Sequence, residues 1–240
     1  MKAVILCAGE GVRMRPLTLT RPKQLIEMAG RPLLEHIFRQ LPDAIDEVIL
    51  VIGYRGEQIQ DYFGEEFQGK KITYVWQTKK TGTWRALQLA RPFLGNGKFL
   101  CSLGDDILDR ESIKKCLSHN LAILVKEVED PRRFGVVVVG ENNKVLDFVE
   151  KPEEPLSKLA STGLMVLDER IFNYSAEAHR DGEYYIPVAV AKMAKDHDIF
   201  VEHARMWLTT STPEDIPKVE ERLHGILQLR NEDNKTFSRK

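Results

Sequence analysis

Four consecutive apolar residues, Ala3 to Leu6, run almost directly into Gly9-Glu10-Gly11. An unbroken apolar run of this length suits a parallel strand covered on both faces. A glycine turn after it lets the backbone bend sharply and approach a ligand closely. The loop that follows, as far as Leu25, carries Arg13, Arg15, Arg21 and Lys23 among Pro16 and Pro22. Backbone N–H groups beside fixed cations suit a polyphosphate, because each anionic oxygen needs a donor once water is displaced. No Gly-Lys-Ser/Thr follows the glycines and a third glycine is missing, so neither the Walker loop nor the dinucleotide fingerprint is present.

The rest of the chain alternates between the two periods. Pro32 to Leu41 has apolar residues at helical spacing, and Glu47 to Gly53 is a second buried strand. Gln58 to Phe63 belongs to a helix ending near Gly64, and Ile72 to Gln77 is a third strand. A helix starts at Thr83, a strand spans Lys98 to Leu103, and a helix begins near Arg110. Leu121 to Val128 is a strand, and Val136 to Val139 pairs with Lys144 to Val149 around a turn at Glu141-Asn142-Asn143. Such alternation predicts an α/β fold with a mostly parallel central sheet, its ligand beyond the carboxyl ends of the strands. Residues 214–230 read as a helix, and 227–240 as a polar tail that frays.

At 240 residues the chain can bury a large core, and no linker or repeat divides it. A net charge of -1 supplies no field that attracts nucleic acid or a membrane surface. Cys7, Cys101 and Cys116 have neither metal-ligand spacing nor an even count, which fits reduced thiols in the cytoplasm. No apolar run reaches the length of a spanning helix. His36, His119, His179, His197 and His203 lack metal-ligand spacing and read as surface or helix residues.

The first stretch as a whole resembles the signature of the sugar-1-phosphate nucleotidylyltransferases, usually G-x-G-T-R-[LM]-x-P-L-T-x-x-x-P-K-x-L. Gly9, Gly11, Arg13, Met14, Pro16, Leu17, Thr18, Pro22, Lys23 and Leu25 stand in register, with Val12 in place of the usual Thr. Two further strings match: Gln77 to Ala86 follows the family's Q-x-x-x-x-G-T-A-x-A, with Trp84 in place of a small residue. Asp130 to Pro152 follows D-P-x-x-[FY]-G-V-V, turn, V-x-x-F-x-E-K-P. Trp84 either narrows the base pocket or covers the sheet. Beyond Pro152 the match thins. Ser161-Thr162-Gly163 stands where Asn-Ala-Gly is usual, and Thr209 stands where the family carries a second metal-binding Asp.

The resemblance, which extends to about residue 220, implies a Rossmann-like three-layer sandwich of the GT-A-like nucleotide-diphospho-sugar transferase type. It implies a single domain over 1–226, with a nucleotide half (1–120) and an acceptor half (121–226). It also implies an enzyme that joins an NTP, UTP or dTTP by preference, to a sugar 1-phosphate and releases pyrophosphate. Nucleotide would lie against Leu6, Ala8, Gly9, Gly11, Gln77, Gly82 and Thr83, with the Gln77 amide matching a uracil or thymine edge. The acceptor would meet Gly104, Glu150, Lys151, Ser161 and Gly163. Arg13 would neutralise the β and γ phosphates, Lys23 would sit at the α-phosphate, and Lys151 would hold the attacking phosphate. Mg²⁺ would bind Asp105, with Asp106 behind it or capping the next helix. Thr209 leaves a second reading, a nucleotide- or nucleotide-sugar-binding regulatory subunit without turnover, and GTP- or CTP-dependent transfer to mannose 1-phosphate or a non-sugar phosphate is a third. Oligomeric state is not legible, although the resemblance admits a dimer or tetramer of identical chains.

Overall fold

A computed structural model describes residues 1–225. In chain order the strands are β1 (Lys2–Cys7), β2 (Glu27–Met28), β3 (Arg31–Pro32), β4 (Glu47–Ile52), β5 (Glu66–Phe67), β6 (Lys70–Trp76) and β7 (Phe99–Leu103). They continue as β8 (Asp106–Leu108), β9 (Ala122–Glu127), β10 (Gly135–Val139), β11 (Val145–Glu150), β12 (Leu159–Leu167), β13 (Phe200–His203) and β14 (Trp207–Thr209). The helices are α1 (Leu33–Gln40), α2 (Gly56–Phe63), α3 (Thr83–Leu94), α4 (Arg110–Leu117) and α5 (Ile186–Met193), and residues 216–225 are also helical. The remainder of the helix expected over 214–230, and the expected tail over 227–240, lie outside the described residues.

The apolar N-terminal run sits in the middle of the sheet. Strands β7, β1, β4 and β6 lie side by side in parallel, with Val4 between Ile49 and Cys101. Because successive side chains of a strand point to opposite faces, β1 feeds two cores. Ala3, Ile5 and Cys7 join the cluster that holds Phe38 of α1, Phe63 of α2, Cys116 of α4 and Leu223. Val4 and Leu6 join the cluster that holds Leu87 of α3 and Met193 of α5. Helices therefore cover both faces, giving the expected three layers. Trp84 is 2% exposed within the second cluster, so its bulk covers the sheet and does not narrow the cleft.

The second half departs from the parallel pattern, and β12 is the reason. This nine-residue strand runs antiparallel to β9 along one edge. Along its other edge it meets β10 at Ala160 and β7 at Met165 to Leu167. Between Ser161 and Met165 its register with β9 slips, and Gly163 takes a φ of 75°. The sheet is thus parted at Ser161–Met165, and the acceptor-half cavity opens there. One continuous sheet joins strands on both sides of residue 120.

Candidate active site

Four carboxyl-end loops of the parallel strands, after β1, β4, β6 and β7, line a cleft of about 860 Å³. Each of the seven residues expected at the nucleotide, Leu6, Ala8, Gly9, Gly11, Gln77, Gly82 and Thr83, lines it. Gly11 adopts φ 62°, and a Cβ there would come within 3.0 Å of Thr18 Cγ2 and 3.2 Å of Lys23 Cβ. The Thr18 hydroxyl donates to the Gly11 carbonyl at 2.8 Å, so the loop closes on itself and turns Lys23 inward. Lys23 is 7% exposed, and its Nζ donates to Asp105 Oδ2 at 2.7 Å. Arg13 lines the same cleft, whereas Arg15 and Arg21 do not; Arg15 pairs with Glu10 at 3.7 Å. The four loop cations therefore divide, and two face the cleft.

On the far wall, Gln77 donates its amide nitrogen to Thr81 Oγ1 and to the Gly82 carbonyl, both at 3.2 Å. Its donor is spent on its own turn, and the amide oxygen is what remains for a ligand. Gln24, which the sequence reading passed over, is 3% exposed along the cleft, and its Oε1 has no hydrogen-bond partner. An unpaired buried carbonyl is the kind of signal that only coordinates reveal.

A second cavity, of about 230 Å³, lies against the parted sheet, lined by Glu150, Lys151, Ser161, Gly163 and Thr209 among others. Arg13, Thr83, Leu103, Asp105, Lys151, Tyr185 and Ser211 line both spaces, so the cleft and the cavity meet around two cations and one carboxylate. Gly104, expected at the acceptor, lines neither. It is a packed bend: its N–H donates to the Leu6 carbonyl at 3.0 Å, and a Cβ would come within 2.9 Å of that oxygen.

Asp105 stands at the junction, and the Thr210 hydroxyl donates to its backbone carbonyl at 3.0 Å. Asp106 lies on β8 directly opposite Thr209 of β14. Burial, with the Asp105 charge beside it, pushes the Asp106 carboxyl well above its ordinary range. The expectation that Asp106 caps the next helix is corrected: Asp109 caps α4, accepting from the Ser112 N–H at 2.9 Å.

Glu150 ends β11, and Lys151 just after it has a left-handed backbone, φ 45°. The Lys151 Nζ donates to the Tyr185 hydroxyl at 2.9 Å, lies 3.4 Å from Glu150 and sits 4.2 Å from the Tyr185 ring centroid. Burial raises the Glu150 carboxyl against the opposing pull of Lys151. Tyr185 in turn donates to Asp181 at 2.7 Å. Nothing in the sequence ties Tyr185 to Lys151, 34 residues before it.

A phosphate-suited glycine loop at the carboxyl edge of a parallel sheet, facing a second cavity across an Asp, defines a nucleotide-handling fold, and the chain belongs to the nucleotidyl transferase family, which it matches over residues 2–224. Among curated proteins, it is 36% identical over 201 residues to the bifunctional protein GlmU of Methanocaldococcus jannaschii, covering 83% of this chain and 48% of that protein. It is 33% identical over 235 residues to the UTP–glucose-1-phosphate uridylyltransferase AglF of Haloferax volcanii, covering 93% and 96% of the two chains. The chain thus spans about half the length of its GlmU relatives and nearly all of AglF. A solved structure of a putative glucose-1-phosphate thymidylyltransferase from Bacillus anthracis superposes with a TM-score of 0.82 at 27% identity, covering 92% of this chain and 94% of that one. Among the described residues no helix is long and apolar enough to cross a membrane.

Proposed function

We propose that the chain transfers a nucleotidyl group from an NTP, UTP or dTTP by preference, to a sugar 1-phosphate and releases pyrophosphate. The observation that carries this reading is the meeting of the cleft and the cavity at Arg13, Asp105 and Lys151. A phosphate oxygen of the acceptor attacks the α-phosphorus, the bond to the β-phosphate oxygen breaks, and pyrophosphate leaves with the electron pair. The attacking phosphate is already ionised, so no general base is required. Positioning two anions and spreading their charge supplies the rate. Arg13 binds the β and γ phosphates, its fork matching two oxygens. Lys23 holds the α-phosphate, exchanging its contact with Asp105 for one with substrate. Lys151 holds the attacking phosphate from the cavity side.

The donor set fits Mg²⁺ that arrives with a nucleotide. Among the described residues no group of three or more His, Cys, Asp or Glu side chains converges as a metal cage. Asp105 faces the cleft with its side chain 35% exposed, and Mg²⁺ commonly takes one or two carboxylates, with waters and substrate phosphates completing its shell. Bound there, the ion would neutralise charge on the phosphate oxygens. Three buried free thiols accord with a cytoplasmic setting. Base preference rests on the Gln77 oxygen, which suits the ring N–H of uracil or thymine. The missing carboxylate at Thr209 favours a second reading, a nucleotide-binding regulatory subunit. Pyrophosphate release should be assayed with each NTP, Mg²⁺ and a panel of sugar 1-phosphates, beside Asp105→Ala. Release that this substitution abolishes supports the enzyme; nucleotide binding without release across the panel supports the regulatory subunit.

A further inference from the structure

We infer that Tyr185 is the positioning residue for Lys151, aiming its ammonium at the junction of the two cavities, and that the turn lining the nucleotide cleft sets the place of Tyr185. The inference rests on the proposed role of Lys151 at the attacking phosphate. A lysine on a flexible stem has many rotamers, and its reach is useful only when one is selected. Here the selection is visible. The backbone of Lys151 is held in a left-handed conformation, with its N–H donating to the Phe134 carbonyl at 3.0 Å. Non-glycine residues persist there only when their surroundings hold them.

The Tyr185 hydroxyl has one proton, and Asp181 takes it at 2.7 Å. Its lone pairs must then face the other way, towards Lys151 Nζ at 2.9 Å, while the ring supports the cation from 4.2 Å. The carboxylates of Glu150 and Asp181 lie further from Nζ, at 3.4 and 3.9 Å. Tyr185 thus gives the ammonium its shortest contact, a neutral one, with the two carboxylates farther out.

Tyr185 itself is fixed from the nucleotide side. Its neighbour Tyr184 donates its N–H to the Thr81 carbonyl at 3.1 Å and accepts from the Trp84 N–H at 2.9 Å. On the other side, the Ile186 N–H donates to Thr83 Oγ1 at 3.2 Å. Gly82, at φ 88°, presses so closely that any Cβ would collide with the Tyr184 backbone. The turn that lines the nucleotide cleft and the residue that aims the acceptor lysine are therefore one stitched element.

The test compares Tyr185→Phe, which keeps the ring and removes the hydroxyl, with Tyr185→Leu, which removes both. With UTP, Mg²⁺ and glucose 1-phosphate, Tyr185→Phe should raise the KM for the sugar phosphate about tenfold, the scale of one hydrogen bond to a charged group. The KM for UTP and the melting temperature should stay close to wild type, and Tyr185→Leu should weaken the acceptor further. Crystal structures of the wild type and Tyr185→Phe should show Lys151 Nζ leaving the junction. An acceptor KM within twofold of wild type, equal weakening of both substrates, or an unmoved Lys151 would each overturn the inference. Because the position of Lys151 is seen without turnover, failure to react with any acceptor would sink the proposed reaction and leave this comparison decisive.

Discussion

Lys23 and Asp105 show how much a single pair decides. The lysine is nearly buried, its partner is partly open to the cleft, and only 2.7 Å separates Nζ from Oδ2. Such a cation cannot be replaced by water without loss, because the groups around it are desolvated. If Lys23 acts on charge that develops at the α-phosphate, Lys23→Ala should lower kcat by about a hundredfold at saturating substrates. Lys151→Ala should instead act mainly on the KM for the acceptor, and steady-state kinetics on both variants separates the two effects. Equal loss in both parameters for both variants would contradict this division. Thr209 adds a prediction of opposite sign. A carboxylate there would face Asp106 across the β8–β14 pair, giving a divalent ion a further anionic ligand. Thr209→Asp should lower the Mg²⁺ concentration that gives half-maximal release, and an unchanged or raised requirement would show that the hydroxyl is not what limits the site.

Among the elements, α4 and β14 are tied together by one side chain. Asp109 accepts from the Ser112 N–H and hydroxyl at 2.9 and 2.7 Å, and from the Met206 N–H at 3.0 Å beside β14. Burial raises the Asp109 carboxyl, but these hydrogen bonds outweigh it and hold it below its ordinary 3.8. A depressed carboxylate stabilises the fold above its unfolded value, and that stabilisation is lost as pH falls through the folded one. Asp109→Ala should therefore cost about 2 kcal/mol near neutral pH, the upper end for a helix cap, since the Met206 N–H is orphaned as well. The gap from wild type should narrow below about pH 3.8, which denaturant melts across pH would reveal. Legibility in the sequence also divides by element. β1 and β4 hold unbroken apolar runs after their first residue, and β7 is apolar but for Ser102, so residue type alone marks them. In β12 the Ser161-Thr162-Gly163 break hides a central strand, because its burial comes from strands distant in sequence that pair on both edges. α5 was hidden in the same way: Pro187, Val188 and Val190 are poor helix formers in isolation, and packing on the sheet overrides them. Asp106 and Asp109 are both acids ahead of α4, and only the backbone decides which one caps it.

At the scale of the whole molecule, the parallel strands gather their loops at one edge and make the cleft, while the parted antiparallel strands make the cavity. The first was legible because a glycine loop after a strand has a known place in an α/β sheet. The second was reached through resemblance, and Gly104, expected there by the same route, sits in a packed bend that lines neither space. What unites both halves is the claim that a triphosphate lies over the glycine turn with its reacting end at Asp105. Calorimetric titration of UTP and dTTP with Mg²⁺ into the full chain tests it most directly. Saturable binding of a single nucleotide per chain is expected, weakened at least about tenfold by Arg13→Ala through loss of charge-assisted hydrogen bonds. Absence of heat with UTP, dTTP, GTP, CTP and ATP alike, or binding indifferent to Arg13, would contradict it.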